Sequence, residues 1–320
     1  MNDIVKRISE IGIIPEFKFK DEKKDASVAK ALAKGGIPIA EITFRDSAAE
    51  ESIRHISAEC PDIMLGAGTV LTCEQVDRAV NAGAKFITTP GFNPTVTAHC
   101  VNWGIPIIPG CSNPSDIERA LELGIDTVKM FPAEHLGGVE YIKALSGSYG
   151  SVNFIPTGGI NINNLAEYLT FPKVAACGGS WAVPSALVEA DDFVAIEMIA
   201  RETVKAVLGF GLAHVGINCE SIEEAGASAK ILCGLFGFDY LPGANSVFAG
   251  TVGEFMKPPY RGTNGHIGIK TNSVIRAMAS LAAKGIRFVD STRRYTESGS
   301  LRFIYLEDEL CGFALHLTQK

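Results

Sequence analysis

The chain has 320 residues, 47% of them hydrophobic and 20% charged, and its formal net charge is −7 at pH 7. This length and composition allow two domains with buried cores. The acidic balance, without a cluster of Lys and Arg, argues against a general nucleic-acid-binding protein. No segment is apolar over the length that a membrane span requires, so we expect a small-molecule partner, with no nucleic acid and no membrane.

The cysteines and the first residues indicate the compartment. No two of the eight cysteines are close enough for a CxxC metal or redox motif. Scattered thiols in apolar segments are typical of reduced, buried cysteines in a cytosolic protein. The opening residues, MNDIVKRISE, lack the apolar core of a signal peptide. We therefore expect a cytoplasmic protein.

Short apolar segments alternate with amphipathic segments from residue 11 to about residue 205. This alternation predicts parallel strands joined by helices, and eight βα steps favour a closed (β/α)8 (TIM) barrel over an open sheet. No GxGxxG follows the first strand, which argues against a dinucleotide site there. The predicted strands are Gly12–Phe19, Ile37–Phe44, Ile63–Gly66, Phe86–Thr88, Pro106–Ile108, Thr127–Phe131, Asn153–Pro156 and Val174–Cys177. The predicted helices include Ala26–Lys34, Glu74–Ala82, Ser115–Leu123 and Asn164–Leu169.

An internal repeat follows the glycines at 209 and 211. Residues 214–222 read HVGINCESI and residues 266–274 read HIGIKTNSV, so His, Gly, Ile and Ser recur at the same offsets. Each copy predicts a strand, a helix and then several short strands, which is a βαβββ unit. We predict two domains, an α/β barrel over residues 1–208 and an α+β domain of paired βαβββ units over residues 212–320.

Lys129 lies in an apolar strand, within VKMFPAE, at the end where barrel enzymes carry their catalytic groups. A solvated lysine has a pKa of about 10.4, and burial lowers that value and favours the neutral amine. A neutral amine attacks a ketone to form a Schiff base. The alternatives are a lysine that reaches water at the strand end, or one that pairs with Glu41 or Glu134.

Glu41 follows the apolar residues 37–40 of the second predicted strand, and strand alternation places it on the same face as Thr43. A carboxylate in the barrel mouth can move protons to and from carbon. An ion pair with Lys129 or Arg45 is the structural alternative. The two roles are compatible, because such a pair would also position the base.

Two glycine loops follow the seventh and eighth predicted strands. They read Thr157-Gly158-Gly159 and Gly178-Gly179-Ser180. Backbone N–H groups before a helix start bind phosphate, and barrels often build a phosphate site from these two loops. The alternative is a pair of ordinary glycine turns.

The strand ends as a set resemble the class I KDPG/KHG aldolases, which act on 2-keto-3-deoxy-6-phosphogluconate and 4-hydroxy-2-oxoglutarate. The resemblance covers residues 1 to about 205. The motifs that carry it, in chain order, are EITFR, GAGTVL, TPGFN, PGCSNPSD, VKMFPAE, PTGGI and GGSW.

The resemblance implies a homotrimer of barrels that cleaves a 2-oxo acid to pyruvate and an aldehyde without a cofactor. It implies Lys129 as the Schiff-base lysine and Glu41 as the general acid/base. The remaining implied contacts are the substrate carboxylate on Arg45 and Thr69, a pocket lined by Pro90 and Phe131, and a phosphate near Gly158, Gly159 and Ser180.

The first strand departs from the family pattern. Members commonly read PVIR where this chain reads Pro15-Glu16-Phe17-Lys18. Lys18 keeps a positive charge for an anionic substrate. Glu16 either repels substrate anions in the barrel or points to the outer helix layer.

The repeat resembles the glyoxalase/vicinal oxygen chelate superfamily, whose metal ligands come from the first and last strands of each unit. The resemblance implies ligands at His214, Glu254, His266 and His316 for Zn, Ni, Fe or Mn, ions that accept imidazole and carboxylate donors. His316 stands where that superfamily usually has a carboxylate. The alternative is that His214 and His266 are hydrogen-bonded core residues.

Three functions remain open for the whole chain. The first is a pyruvate-type aldolase with an accessory domain. The second is a metal-dependent vicinal oxygen chelate enzyme. The third makes the C-terminal domain a ligand-binding or oligomer-stabilising module. The residues Glu41, Thr69 and Lys129 favour the first.

Overall fold

The computed structural model describes residues 3–18, 24–45, 47–257, 259–297 and 299–320. Contacts within the chain divide it into two compact units, Met1–Val207 and Leu208–Lys320.

The N-terminal unit alternates strands with helices. Its strands are β1 (Ile13–Phe17), β2 (Ile39–Thr43), β3 (Met64–Gly68), β4 (Phe86–Thr88), β5 (Ile107–Ile108), β6 (Thr127–Met130), β7 (Asn153–Pro156) and β8 (Cys177–Gly179). Its helices are α1 (Asp3–Ile11), α2 (Asp25–Lys34), α3 (Ser47–Glu59), α4 (Cys73–Ala82), α5 (Pro94–Asn102), α6 (Pro114–Glu122), α7 (Gly138–Ser148), α8 (Leu165–Thr170), α9 (Ser185–Glu189) and α10 (Phe193–Leu208), and a short 3-10 helix covers Glu134–Leu136.

The strands of this unit run parallel. Six of them form one sheet in the order β5-β4-β3-β2-β1-β8, and β6 pairs with β7. Single parallel bridges join Gly110 to Lys129 and Thr157 to Gly178, which link this pair to the larger sheet on both sides. The unit is therefore an α/β, TIM-barrel-like domain in which the carboxyl ends of the strands share one rim.

The eighth strand lies further along the chain than predicted. Val174–Cys177 was the expected span, but β8 covers Cys177–Gly179, and Val174 pairs with Phe154 in an isolated bridge outside that strand. Glycine has a low strand propensity, so Gly178 and Gly179 were not predicted as part of a strand. Gly178 is required there because a Cβ on it would collide with Thr157 and Glu16. The predicted end of the first strand, Phe19, lies outside the described residues.

Local sequence signals explain several helix starts. Thr72 and Gln75 form a reciprocal capping box at the start of α4. Asn93 and Asn113 accept hydrogen bonds from the first turns of α5 and α6, and a proline follows each of them. Because proline has a helical φ and no N–H, it fits the first helical position.

The C-terminal unit is mostly sheet and repeats the order strand, helix, three strands. Its first copy comprises β9 (Gly211–Asn218), α11 (Ile222–Phe236), β10 (Tyr240–Pro242), β11 (Ser246–Ala249) and β12 (Gly253–Met256). Its second copy comprises β13 (Gly265–Thr271), α12 (Val274–Ala282), β14 (Phe288–Tyr295), β15 (Leu301–Leu310) and β16 (Phe313–Gln319). The strand order β10-β11-β12-β9-β13-β16-β15-β14 joins the copies through antiparallel β9 and β13.

The recurring serine of the repeat has a structural role. Ser221 accepts a hydrogen bond from the backbone N–H of Glu224, and Ser273 accepts one from that of Arg276. Each serine caps the N-terminus of the helix in its copy, which satisfies a backbone donor that the helix cannot pair internally.

All eight cysteines are free thiols, and five of them are buried. Within the described ranges no helix combines the length and apolarity that crossing a bilayer requires.

Candidate functional site

Lys129 occupies the interior of the N-terminal unit. Its backbone is fixed because its N–H donates to the carbonyl of Pro109 and its carbonyl accepts from Cys111. Only 7% of its side chain is exposed. The alternative of a lysine reaching bulk water is therefore wrong.

Two carboxylates hold the ammonium group. Lys129 Nζ lies 2.7 Å from Glu16 Oε1 and 3.1 Å from Glu41 Oε1. The two acids come from neighbouring strands, and β1 pairs with β2 so that Glu16 stands opposite Glu41. Side chains opposite each other on adjacent strands project to the same face, so both carboxylates reach one nitrogen.

The expected lowering of the lysine pKa is wrong. Burial does act to lower the pKa of Lys129, but the charges and hydrogen bonds of Glu41 and Glu16 outweigh it and raise that pKa. An opposite charge within a few ångströms favours the charged form. The resting lysine is therefore an ammonium ion, and its neutral form requires transfer of a proton to a neighbour.

Glu41 is poised to exchange protons near neutral pH. Burial and the charge of Glu16 raise the pKa of Glu41 to about 7, against the lowering effect of Lys129. Its Oε2 is buried and accepts no hydrogen bond from any described residue. A general base with a pKa near the working pH, and a free oxygen, is suited to proton transfer.

Sequence reasoning left Glu16 out of the predicted site. Its carboxylate contacts Lys129, so the suggestion that it points to the outer helix layer is wrong. The alternation of Pro15, Glu16 and Phe17 was a usable signal, because one residue in two along a strand faces the interior. Lys129 does not pair with Glu134, whose carboxylate accepts from the hydroxyl of Tyr168.

Missing side chains make room for the carboxylates. A Cβ on Gly68, in β3, would collide with the carboxylate of Glu41. A Cβ on Gly178, in β8, would collide with Glu16 and with the hydroxyl of Thr157. The Thr157 hydroxyl is buried and has no hydrogen-bond partner among the described residues. The glycines in these two strands therefore shape the site.

The other predicted residues lie at the same rim. Phe131 follows β6, and its ring centroid is 5.9 Å from Lys129 Nζ. Pro90 follows β4, and its backbone packs closely on Gly110. Arg45 and Lys18, just after β2 and β1, are exposed. Phe131 thus borders the lysine, and the two basic residues stand at the barrel mouth.

Thr69 has an unusual backbone. Its φ is 59°, in the left-handed region that β-branched residues rarely adopt. Such a conformation costs about 1–3 kcal/mol and concentrates at functional sites. The strained residue directly follows Gly68, which packs against Glu41.

The glycine loops differ from the predicted geometry. Gly158 and Gly159 have φ of 94° and 83°, but α8 begins only at Leu165. Gly179 belongs to β8 rather than to a loop, and Ser180 beyond it is exposed. Neither pair of glycines therefore stands directly before a helix, which is the geometry that the prediction assumed.

The C-terminal unit gathers a second set of residues, here called the C-terminal cluster: His214, Glu254, His266 and His316. His214 Nε2 lies 3.1 Å from His266 Nε2 and 3.2 Å from His316 Nε2. Glu254 Oε2 lies 3.0 Å and 3.3 Å from the Nε2 atoms of His266 and His214. All four predicted ligands therefore converge on one point.

Strand register produces this convergence. On antiparallel β9 and β13, His214 stands opposite Gly268 and His266 opposite Gly216. A Cβ on Gly216 would collide with the ring of His266, and one on Gly268 would approach His214 and His316 to 2.8 Å and 2.9 Å. The H-x-G spacing of the repeat thus places each ring over a glycine of the other copy.

Comparisons with known proteins point to one family. The sequence profile described as KDPG and KHG aldolase matches residues 4–200. The 2-dehydro-3-deoxy-phosphogluconate aldolase of Treponema pallidum (strain Nichols) is 48% identical over 207 residues, which are 65% of this chain and 99% of that protein. The enzyme of the same name from Haemophilus influenzae is 44% identical over 204 residues, which are 64% of this chain and 96% of that protein.

Solved structures agree with these relatives. A KDPG aldolase from Legionella pneumophila, with pyruvate captured at low pH as a covalent carbinolamine intermediate, aligns with a TM-score of 0.61 and 34% identity over 62% of this chain and 97% of that one. The 2-keto-3-deoxy-6-phosphogluconate aldolase of Zymomonas mobilis ZM4 with 3-phosphoglycerate aligns with a TM-score of 0.59 and 35% identity over 63% of this chain and 94% of that one. The chain therefore belongs to the KDPG and KHG aldolase family, and it is a carbon–carbon lyase of the class I aldolase type.

Proposed function

We propose that the N-terminal unit cleaves 2-keto-3-deoxy-6-phosphogluconate to pyruvate and glyceraldehyde 3-phosphate through a Schiff base on Lys129. The observation that carries this proposal is a buried lysine whose Nζ lies 3.1 Å from the carboxylate of Glu41. The base that cleavage of the C3–C4 bond requires therefore lies beside the nucleophile, within hydrogen-bond reach. The carbinolamine in the Legionella relative supports the same chemistry here.

Side chains of this chain supply each step, so we expect no cofactor for aldol cleavage. Lys129 transfers a proton to a neighbouring carboxylate, and its amine adds to the C2 ketone. The adduct then loses water to form an iminium ion. The unpartnered oxygen of Glu41 takes the proton of the C4 hydroxyl, and the electrons of the C3–C4 bond flow to the iminium. After the aldehyde leaves, Glu41 returns that proton to C3 of the enamine, and water releases pyruvate from Lys129.

The phosphorylated substrate is the preferred one in this proposal. The relatives from Treponema and Haemophilus are both named for it. The turn at Gly158 and Gly159 and the exposed hydroxyl of Ser180 lie at the rim where a phosphate would reach. Hydrogen bonds to a charged group contribute about 1.5–3 kcal/mol each, which is enough to decide between two substrates.

Steady-state kinetics test this preference. We expect kcat/KM for 2-keto-3-deoxy-6-phosphogluconate to exceed that for 4-hydroxy-2-oxoglutarate by about 10- to 100-fold, because one or two charged hydrogen bonds are lost without the phosphate. Ser180→Ala should lower the first value and leave the second unchanged. Equal values for both substrates in the unmodified enzyme would contradict the proposal.

The homotrimer stays a prediction from the resemblance, to be checked by measuring the mass of the protein in solution.

We also propose that the C-terminal cluster holds one divalent metal ion. Zn–N bonds of 2.0–2.1 Å place tetrahedral ligand atoms about 3.3 Å apart. The His214–His266, His214–His316, Glu254–His266 and Glu254–His214 separations of 3.0–3.3 Å fit this spacing. Burial and the neighbouring histidines lower the pKa of His316 to about 3, so its ring is neutral, which is the ligating form. His214, Glu254, His266 and His316 would hold the ion, which would supply Lewis-acid chemistry when bound.

Packing orients these rings. The Nδ1 atom of His266 is buried and meets no acceptor among the described residues. A backbone hydrogen bond at Leu317 acts on the ring of His316, which lies 4.5 Å from the ring of Phe303 and 5.1 Å from that of Tyr305, centroid to centroid. A cavity of about 550 Å³ adjoins the cluster, and Arg294 also lines it. A metal ion beside a guanidinium favours a small anionic ligand for this cavity.

Metal analysis of the purified protein tests the C-terminal cluster. After dialysis against Zn, Ni, Fe or Mn salts in turn, we expect about one equivalent of the best-bound ion per chain. His316→Ala should lose it, because a vacant ligand position weakens the site. His135→Ala, which removes an exposed histidine of the other unit, should retain it. If the unmodified protein holds no more metal than His316→Ala, the proposed metal site is overturned. Chelation should leave aldol cleavage unchanged.

A further inference from the structure

Glu16 stands where the aldolase mechanism has no assigned group. One carboxylate is enough to neutralise one ammonium, yet Lys129 contacts two. Burying charged groups is costly unless each is paired. A second carboxylate beside one ammonium group adds an excess negative charge, which lowers the stability of the folded state. A residue of that kind is a candidate for chemistry rather than for stability.

We propose that Glu16 is a second catalytic carboxylate, which carries protons during formation and breakdown of the Schiff base on Lys129. This role rests on the aldol cleavage proposed above. Glu41 then serves only the substrate carbons and the C4 hydroxyl. Both acids contact Lys129 Nζ, and the division rests on their different distances from it and their different exposure.

Distance favours Glu16 for the nitrogen. Its Oε1 lies 2.7 Å from Lys129 Nζ, nearer than the 3.1 Å of Glu41. Exposure favours it as well, because 19% of the Glu16 side chain is exposed and only 3% of the Glu41 side chain is. Schiff-base formation releases a water molecule and hydrolysis consumes one. The acid that borders solvent is better placed for both steps.

Packing also keeps Glu16 in position. Its carboxylate and the Thr157 hydroxyl share the space that a Cβ on Gly178 would fill. Glu41 Oε2, by contrast, is buried without a partner and remains available to the substrate. The two acids therefore face different parts of one reaction.

The proton steps balance. The ammonium of Lys129 gives a proton to Glu16, and the freed amine adds to C2. The C=O electron pair moves to oxygen, which takes the proton back from Glu16. Glu16 then removes a proton from the nitrogen and delivers it to the new hydroxyl. Water leaves as the nitrogen lone pair forms the C=N bond. One ammonium and one ketone thus give one iminium ion and one water, with Glu16 again ionised.

The test separates two rates in the full-length protein with pyruvate as the probe. Borohydride quenching at timed intervals, read by mass spectrometry, gives the rate of Schiff-base formation. Exchange of the pyruvate C3 hydrogens in deuterated water, divided by the amount of adduct, gives the rate at carbon. Glu16→Gln should slow formation by about 100-fold, the size of a lost acid/base group, and leave exchange per adduct unchanged. Glu41→Gln should show the reverse pattern.

Further variants decide the remaining outcomes. Glu16→Asp keeps a carboxylate and should recover part of the formation rate. Glu140→Gln makes the same change at an exposed glutamate and should alter neither rate. Formation at the unmodified rate in Glu16→Gln overturns the role of Glu16 alone. If Glu16→Gln lowers formation and exchange per adduct equally, and Glu16→Asp recovers neither rate, the role of Glu16 is also overturned, because lost packing then explains the effect. No adduct in the unmodified protein overturns the aldolase function itself.

Discussion

Replacing Lys129 with methionine is expected to lower the rate of aldol cleavage by about a thousand-fold or more, because the nucleophile that forms the covalent intermediate is gone. The side chain is 7% exposed, and methionine approximates its length. Borohydride treatment with pyruvate, followed by mass spectrometry, should show no adduct. An adduct elsewhere in the chain, with activity retained, would contradict the assignment.

The same variant is expected to lose stability. Removing one partner of a buried ion pair costs about 3–5 kcal/mol, because the remaining charge has no partner. Burial and Glu16 already raise the pKa of Glu41 from 4.5 to about 7. The folded state thus holds a proton that the unfolded chain releases between those values, so stability from this group falls as pH rises through that window. At pH 8 the Glu41 carboxylate is ionised and lacks its partner in Lys129→Met, whereas at pH 5 it is protonated. The loss in free energy of unfolding caused by Lys129→Met, measured in urea, should therefore be larger at pH 8 than at pH 5.

Lys143→Met is the matched control. Lys143 also pairs with a glutamate, Glu140, but its side chain is 46% exposed. Exposed ion pairs contribute little to stability. Activity and the free energy of unfolding should stay close to those of the unmodified protein, and similar losses in both variants would show that the effect of Lys129 is not specific.

Replacing Glu41 with glutamine is expected to lower kcat by about 100- to 10,000-fold, the usual contribution of a general acid/base. Glutamine keeps the shape of the side chain and cannot accept a proton. The variant should still form the pyruvate adduct on Lys129. Loss of the adduct together with the activity would place Glu41 in Schiff-base formation and contradict its assignment to carbon.

The pH profile of the unmodified enzyme supplies an independent check on Glu41. Its pKa of about 7 means that the base form becomes dominant above that pH. We therefore expect kcat/KM to rise with pH up to about 7 and to level off above it, because kcat/KM reports groups of the free enzyme. Glu41→Gln should lose this rise, whereas Glu140→Gln should keep it. A flat profile in the unmodified enzyme would exclude Glu41 as the titrating base.

The sequence allowed the alternation of the N-terminal unit and the position of Lys129 at a strand end to be predicted, because both depend on local pattern and on motifs. The charge state of Lys129 could not be predicted. It depends on how many carboxylates lie near Nζ, and that number depends on the face that Glu16 takes in β1 and on its register with Glu41. Register is a property of two strands, so neither strand reveals it alone.

The eighth strand was not predicted correctly from the sequence, whereas the residues of the C-terminal cluster were, and in both cases the geometry depends on packing between strands. Glycine is required at positions 178 and 179 of β8, because a Cβ on Gly178 would collide with Thr157 and Glu16 and one on Gly179 with Trp181. Strand propensity does not contain such a packing cause. In the C-terminal cluster, the repeat marked His214 and His266, and the resemblance to the vicinal oxygen chelate superfamily implied Glu254 and His316. The separation of its atoms required the pairing of β9 with β13.

That pairing also limits how the C-terminal unit could have arisen. His214 and Glu254 belong to one copy and His266 and His316 to the other, and the copies face each other across antiparallel strands. A single ancestral copy would have completed such a set only as an isologous dimer about a two-fold axis. Two identical first copies would have offered two imidazoles and two carboxylates, and two second copies four imidazoles. With both copies in one chain, the two halves need not be identical, and the cluster combines three imidazoles with one carboxylate.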